Sequence, residues 1–588
     1  MIKKKGLFIV LFFILKNLSA QKQEPIKDTV KTEVVTVITK YNPKIADVKK
    51  ITKAPKLEVL ESTKRKKLKY TIFSAPVAST FIPKSGTLKG INVGIKERIY
   101  KNYLALGYGN YNSPYLETYL SNSNRFKNEF GVNIKYTASY DNIKNSELNS
   151  DFSNLKTTVF YKQHERYFDW ITSINFDKNN YNWHGLQNNN YSKEIINNIT
   201  ENQYYNAINL FGQLKFKDSY IDYTNISATH FSDRYNSAEY HIKFDSKIDF
   251  PLDFISNSLN NLSVKNSVEY LNGNFKNNYL NLNSIDYATF TLSINPSYLL
   301  ELKNLKIKTG FKVLVAMDDE KNATTTYLVP DVTFKTNLID KYVSIYGSIY
   351  GNLHTNKYHH FSLDNPFISP TLLITQTFEK INTNLGLQGK INDKIDFNFK
   401  ATYKIEEDKP LFIKNISKDM GNNQDFMGNS LRGYEYGNSF KVVYDNVNTT
   451  SFLFELEYNY SKSLSFQSKA NYAIYKLENE VEAWNLPTLE TNTSIRYKNK
   501  KWFLDTNIMF VSNRKDLNYN NPFPSNTKTI KTIDAFLNAS INGGYHFNDK
   551  FSSFIKLNNL LNSNYQQFAN FNTQGFQALA GITYKFDF

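Results

Sequence analysis

The chain has no cysteine in 588 residues, which removes disulfides, thiolate metal sites, a cysteine nucleophile and a lipoprotein anchor. It also lacks any long apolar run beyond its leader, and with a mean hydropathy of -0.50 a helical membrane protein is excluded. Proline (15) and tryptophan (4) are scarce, whereas tyrosine (42) and phenylalanine (44) are abundant, a balance that suits many strands and aromatic girdles. Low mean hydropathy does not count against a barrel, because half of each strand then faces a wet lumen. Catalytic sets are missing as well. There is no phosphate-binding glycine loop, no Gly-x-Ser-x-Gly elbow, no His-Glu-x-x-His helix and no carboxylate pair tied to a cleft. The expectation is a chain that is not an enzyme and carries no cofactor.

What the chain does have begins with a leader. Lys3, Lys4 and Lys5 precede an apolar stretch from Leu7 to Leu15, and Leu18-Ser19-Ala20 offers a small-residue cut before Gln21. Residues 1–20 therefore read as a cleavable export signal. The stretch is about half the length of the roughly 20 residues a spanning helix needs.

The other end of the chain alternates. From Phe576 to Phe588, the side chains of Phe576, Ala578, Ala580, Ile582, Tyr584, Phe586 and Phe588 share one face, opposite Gly581, Thr583, Lys585 and Asp587. Ile582, Tyr584, Phe586 and Phe588 form the aromatic terminal strand that outer-membrane barrels present to their assembly machinery. The same period recurs upstream. Phe130, Val132, Ile134 and Tyr136 oppose Asn133 and Lys135; Phe397, Phe399 and Tyr403 oppose Asn398 and Lys400; Phe452, Phe454 and Leu456 oppose Glu455 and Glu457; Ile307, Phe311, Val313 and Val315 oppose Lys306, Lys308 and Lys312. With an export signal and an aromatic terminus, this repetition favours apolar faces toward lipid and polar faces toward a lumen.

The links alternate too. Short ones fall near Asn124, Gln163, Lys217, Leu252, Lys303, Ile339, Asn392, Ser461, Lys498 and Asn548. Between them lie longer polar links at residues 141–150, 177–202, 271–283, 354–369, 407–447, 513–528 and 562–575. Short turns on one side and long loops on the other are the rule for outer-membrane barrels, and the count gives an antiparallel transmembrane β-barrel of about 22 strands. An even count places both termini on the periplasmic side. The expected organisation is a signal at 1–20, a periplasmic segment at 21–101 and a barrel at 102–588.

The C-terminal residues carry a family likeness. Gly543-Gly544-Tyr545, then Leu557-Asn558-Asn559-Leu560-Leu561-Asn562 with Tyr565, and finally Gly581-Ile582-Thr583-Tyr584-Lys585-Phe586 resemble the barrel of TonB-dependent receptors. As sequence the resemblance covers about the last hundred residues, and as architecture the whole of 102–588. It implies solute or nutrient transport across a Gram-negative outer membrane, ligand binding by the outer loops, and energy from TonB. The chain departs from that pattern at its N-terminus, where residues 21–101 are too few for a complete plug. Within them, Glu33, Val34, Val35, Thr36 and Val37 are similar to a TonB box, an extended segment that adds as a strand to its partner. The same residues equally suit a plain structural strand or tether.

Charge follows this organisation. Of the formal +17, residues 21–70 hold 14 Lys and Arg against 6 Asp and Glu, so with the leader's lysines most of the excess precedes the barrel. No RNA- or DNA-binding motif accompanies it, and nucleic acid is not an expected partner. Expected partners are outer-membrane lipid, the barrel-assembly machinery, TonB and a small-molecule or oligomer substrate. His354, His359 and His360, with Asp364, form the one cluster whose residue types suit a metal, although a plain histidine-containing loop fits them better. Tyr181, Trp183, Tyr191, Tyr434 and Tyr436 are loop aromatics able to stack on a ligand. Two other readings stay open at this point: a non-transporting scaffold or surface-display barrel, and a soluble β-rich secreted binding protein.

Overall fold

The computed structural model describes residues 100–588 apart from 125, 126, 145, 188–190, 257–259, 282, 320, 526 and 588. The export signal, the segment from Glu33 to Val37, the basic linker and Phe588 lie outside the described residues.

The strands in chain order begin with β1 (Asn102–Gly109), β2 (Ser113–Asn124), β3 (Asn128–Ser139), β4 (Phe152–His164), β5 (Phe168–Asn182) and β6 (Asn202–Phe216). They continue with β7 (Ile221–Asp233), β8 (Ala238–Phe250), β9 (Leu262–Phe275), β10 (Ile285–Leu302), β11 (Leu305–Asp318), β12 (Ala323–Ile339) and β13 (Val343–His354). Next are β14 (Thr377–Asn392), β15 (Ile395–Lys414), β16 (Phe440–Asn459), β17 (Leu464–Leu477), β18 (Leu489–Lys498) and β19 (Trp502–Val511). The last are β20 (Arg514–Tyr519), β21 (Lys528–Ile533), β22 (Phe536–His546), β23 (Phe551–Asn558), β24 (Gln566–Phe568), β25 (Phe571–Asn572) and β26 (Gln577–Phe586). Two short helices, α1 (Lys193–Ile196) and α2 (Tyr358–Asp364), lie in loops.

One 22-stranded antiparallel sheet takes up all but four of these strands. It closes on itself where β1 pairs with β26, from Asn102 opposite Phe586 to Gly109 opposite Leu579. Closure leaves no unpaired edge, the condition for spanning lipid with strands. The hairpins β20–β21 and β24–β25 stand apart from the barrel sheet, inside two of the long connections.

The alternation anticipated from sequence is the inside–outside alternation of this barrel. Phe130, Phe311, Phe399, Phe452, Phe454, Ile582 and Tyr584 are all exposed on the outer surface. A closed single sheet has no second layer to bury such a surface, which fits lipid around it, and the soluble β-rich reading is not favoured. On the inner face, Lys308 pairs with Asp331 at 2.8 Å, and Lys247 with Asp249 at 2.9 Å and Asp222 at 3.0 Å. Gly581 also faces inward, where a Cβ would meet the Phe554 ring and the carbonyl of Leu106.

The short links form one end of the barrel, with tight turns such as Leu302 to Leu305 and Asn392 to Ile395; the one near Leu252 is longer, running from Phe250 to Leu262. At the opposite end several strands run further than their sequence indicates. Residues 177–182 belong to β5, 271–275 to β9, and 407–414 and 440–447 to β15 and β16. In β15 the signal was hidden by a register shift between Glu406 and Lys409, by Asp408 at a φ of 54° and by Pro410, all of which read locally as loop. Above the apolar band both faces of a strand can be polar, and the alternation that marks a strand fades.

Candidate functional site

At the long-loop end the connections fold inward and pack into a cover over the lumen. Its centre is the connection at residues 355–376, between β13 and β14. Tyr358, at the start of α2, is 0 % exposed, and its ring meets those of Phe275, Phe231 and Tyr205 at 4.9, 5.1 and 5.7 Å. The Tyr358 hydroxyl donates to Asp233 at 2.9 Å. Lys357, at the N-cap of α2, makes no side-chain cap bond, and a carboxylate from the barrel wall does that work instead. Glu239 of β8 accepts the backbone N–H of Tyr358 at 2.6 Å and of His359 at 3.1 Å, and the Tyr287 hydroxyl at 2.8 Å. Free N–H groups at a helix start favour an anion there.

The same connection then crosses to other walls. Pro366 and Phe367 present their carbonyls to the Tyr205 hydroxyl at 3.3 Å and the Trp183 indole N–H at 3.2 Å. The Phe367 ring stacks on Phe571 of β25 at 3.8 Å. Ser369 donates its N–H to the Phe440 carbonyl of β16 at 2.8 Å. Returning to β14, Thr375 bonds Asp318 of β11 at 2.6 Å and Gln376 bonds Thr291 of β10 at 2.7 Å. The strap thus ties β6, β7, β8, β10 and β11 to β16 and to the last long loop. Two neighbouring loops pack as closely: a Cβ on Gly433 would run into the Thr200 carbonyl, so only glycine lets residues 414–440 lie against residues 183–202.

The loop aromatics named from sequence go into this cover. Trp183 and Tyr434 are fully buried with rings 5.3 Å apart, Tyr181 packs on Tyr205 at 5.0 Å, and Tyr191 and Tyr436 meet edge to face at 6.0 Å. They close the barrel with one another. The three histidines part company. His354 faces Glu379 at 3.4 Å, His359 stacks on Phe231 at 4.7 Å, and His360 faces Asp364 at 3.8 Å. Among the described residues no three His, Cys, Asp or Glu side chains gather as a metal site. Burial pushes the His359 imidazole down to about 4, with Lys357 and His360 adding to the effect, and pushes His184, wedged between Phe367 and Phe571, down to about 4.

Cavities lie on both sides of the cover. A lumenal chamber of about 840 Å³ is lined by Lys341, Lys390 and Lys469 against Asp396, Glu455 and Glu457, so neither sign prevails. A second cavity of about 600 Å³ lies under Phe367 and is lined largely by amides such as Asn154, Asn558 and Gln577. A third, of about 470 Å³, opens between three loops and has Tyr191, Lys414, Asp419 and Tyr519 in its wall. None of its charged residues was singled out from sequence, because Lys414 and Asp419 look there like ordinary loop charges.

No family model matches the chain, and no curated protein matches it by sequence. Solved structures do match its fold. The siderophore receptor PirA from Acinetobacter baumannii superposes with a TM-score of 0.59 and 11 % identity over 82 % of this chain and 80 % of that one. The ferripyoverdine receptor of the Pseudomonas aeruginosa outer membrane gives a TM-score of 0.59 and 14 % identity over 83 % and 72 %. The ferric-catecholate import receptor Fiu from E. coli gives 0.58 and 7 % over 83 % and 82 %. The barrel has the TonB-dependent receptor fold. Within that receptor fold, the described residues of this chain build the lumen cover from the strap at 355–376 and its neighbouring loops.

Proposed function

We propose that the protein is an outer-membrane transport barrel, taking up a small solute from the long-loop side and releasing it at the short-turn side, with both chain termini in the periplasm. The observation that carries this reading is the architecture of the lumen: a closed 22-strand barrel with a polar interior, obstructed at one end by a strap held through individual hydrogen bonds to opposite walls. Such a strap suits a gate, since its attachments to Glu239, Asp318, Thr291 and Phe440 are individual hydrogen bonds that can be released without breaking the pairing of the barrel strands. A scaffold has no need of a polar path beneath a cover.

TonB coupling through Glu33 to Val37 is part of the proposal, as is recognition of Ile582, Tyr584, Phe586 and Phe588 by the barrel-assembly machinery. The absence of a catalytic set from the sequence supports a role without enzymatic chemistry. Structural neighbours named as siderophore receptors make ferric chelates the first solutes to test. The experiment compares growth and uptake of a deletion strain and its parent across iron sources and other nutrients. A specific uptake defect, restored by the wild-type chain but not by Val35→Pro at equal barrel abundance, is expected, because proline removes a strand donor. Unchanged uptake of every solute in the deletion strain overturns the reading.

A further inference from the structure

The cavity of about 600 Å³ beneath Phe367 is walled almost without charge. Among the described residues no lysine, arginine or glutamate lines it, whereas eight asparagines and three glutamines do. Its one carboxylate, Asp151, already accepts a hydrogen bond from the Asn182 amide, and burial pushes His184 down to about 4, so that its ring is neutral at pH 7. The amides reach the cavity from both sides of the barrel seam: Asn154 from β4, Asn179 from β5, Asn538 from β22, Asn558 from β23 and Gln577 from β26. Asn154 donates to Asn179, and Asn558 donates to Gln577 at 3.2 Å. Each such pair spends one donor and one acceptor, and every amide carries both. The side-chain oxygen of Asn538 is buried with no hydrogen-bond partner, a cost that a donor entering the cavity recovers.

The wall also holds apolar faces. Phe152 is 40 % exposed, and Tyr565 stacks on Phe536 at 4.1 Å through one face of its ring. An anionic ligand would find no cation here and a cationic one only the engaged Asp151, so either would be desolvated without a counter-charge. A wholly apolar ligand would strand the amides. A hydroxyl both donates and accepts, as the amides require, and a pyranose ring adds C–H faces that pack on aromatic rings. The volume lies within the roughly 300–1,000 Å³ of small-molecule sites.

We infer that this cavity binds a neutral sugar, its hydroxyls meeting the amides of β4, β5, β22, β23 and β26 and a C–H face lying on Phe152. The inference rests on the uptake reading for the cavity's place on the solute's path, while binding itself is independent of it.

The test is calorimetry on the full chain, purified in an amine-oxide detergent that carries no sugar, with maltose, cellobiose and lactose. Each is compared with its alditol and its aldonate, two open-chain forms that differ from one another by a hydroxymethyl against a carboxylate. At least one disaccharide is expected to bind saturably, with its alditol about tenfold or more tighter than its aldonate, because the carboxylate is desolvated unpaired. Asn154→Lys should reverse that order by supplying a cation, a gain that a merely structural asparagine would not yield. Phe152→Ala should weaken disaccharide and alditol alike. Heat-modifiable migration on gels verifies that each variant is folded. No saturable binding of any disaccharide, or equal binding of alditol and aldonate, overturns the inference. Sugar binding beside unchanged uptake in the deletion strain leaves the site in place and rejects the transport reading; an uptake defect without sugar binding does the reverse.

Discussion

Single residues on the last strand report which face meets lipid. Ile582 and Tyr584 point outward and are 47 % and 46 % exposed, whereas Thr583 between them faces the lumen. A lipid-facing arginine costs about 2–4 kcal/mol at the bilayer midplane and about 0–1 near an interface. Ile582 sits in the middle of β26, while Tyr584 lies near the short-turn end beside Phe586. Ile582→Arg should therefore impair membrane insertion most, Tyr584→Arg less, and Thr583→Arg least. The check is the fraction of each variant that is heat-modifiable in the membrane fraction. Equal insertion of the Ile582 and Thr583 variants would mean that the faces are reversed.

At the scale of the element, the strap and its helix α2 carry a pH response through His359. Its folded pKa is lowered to about 4, whereas a detached, solvated histidine titrates near 6.5. Above the higher value both states are neutral and the docked strap keeps its full stability. As pH falls from about 6.5 to about 4, only the detached state takes up the proton, so docking weakens, and below about 4 no further loss occurs. His359→Phe keeps a ring against Phe231 and removes this proton. Relative to the variant, the wild-type strap should become more susceptible to proteolysis as pH drops through that window. Carboxylates on the facing strands are common to both proteins and cancel in the comparison. A constant ratio of cleavage rates between pH 7.5 and pH 4.5 would show that His359 is not buried in the docked strap.

The whole molecule sets a pathway. The lumen carries ion pairs such as Lys308–Asp331 alongside inward rings such as Phe554, and among the described residues its obstruction comes from loops that return to it from one end. Replacing residues 355–376 by a short glycine–serine linker removes the Tyr358 anchor and the bonds to Glu239, Asp318 and Phe440, but no residue of the barrel sheet. The barrel should still assemble and migrate as a heat-modifiable species. Single-channel conductance in planar bilayers should rise at least several-fold over the wild type. Unchanged conductance would place the limiting constriction elsewhere and remove the strap from the gate.

Much of this architecture was legible in one dimension. Period-two alternation is a local property, so strands such as β11 and β26 declared their faces, and turn chemistry at links such as Asn392 to Ile395 declared one end of the barrel. Lipid outside and water inside then force closure at an even strand count, without knowledge of any distant contact. The cover was not legible. Trp183 reaches Phe367 across 184 residues and Glu239 reaches Tyr358 across 119, and no periodicity marks either pair. From sequence alone Tyr181, Trp183 and Tyr434 were loop aromatics available to a ligand, and three nearby histidines looked like one cluster. Burial decided otherwise: it turned the aromatics into packing, sent the histidines to separate neighbours, and set the Lys414 ammonium against the buried carboxylate of Asp516. Which polar side chain meets which depends on everything packed around it, and that is set only when all the loops are in place.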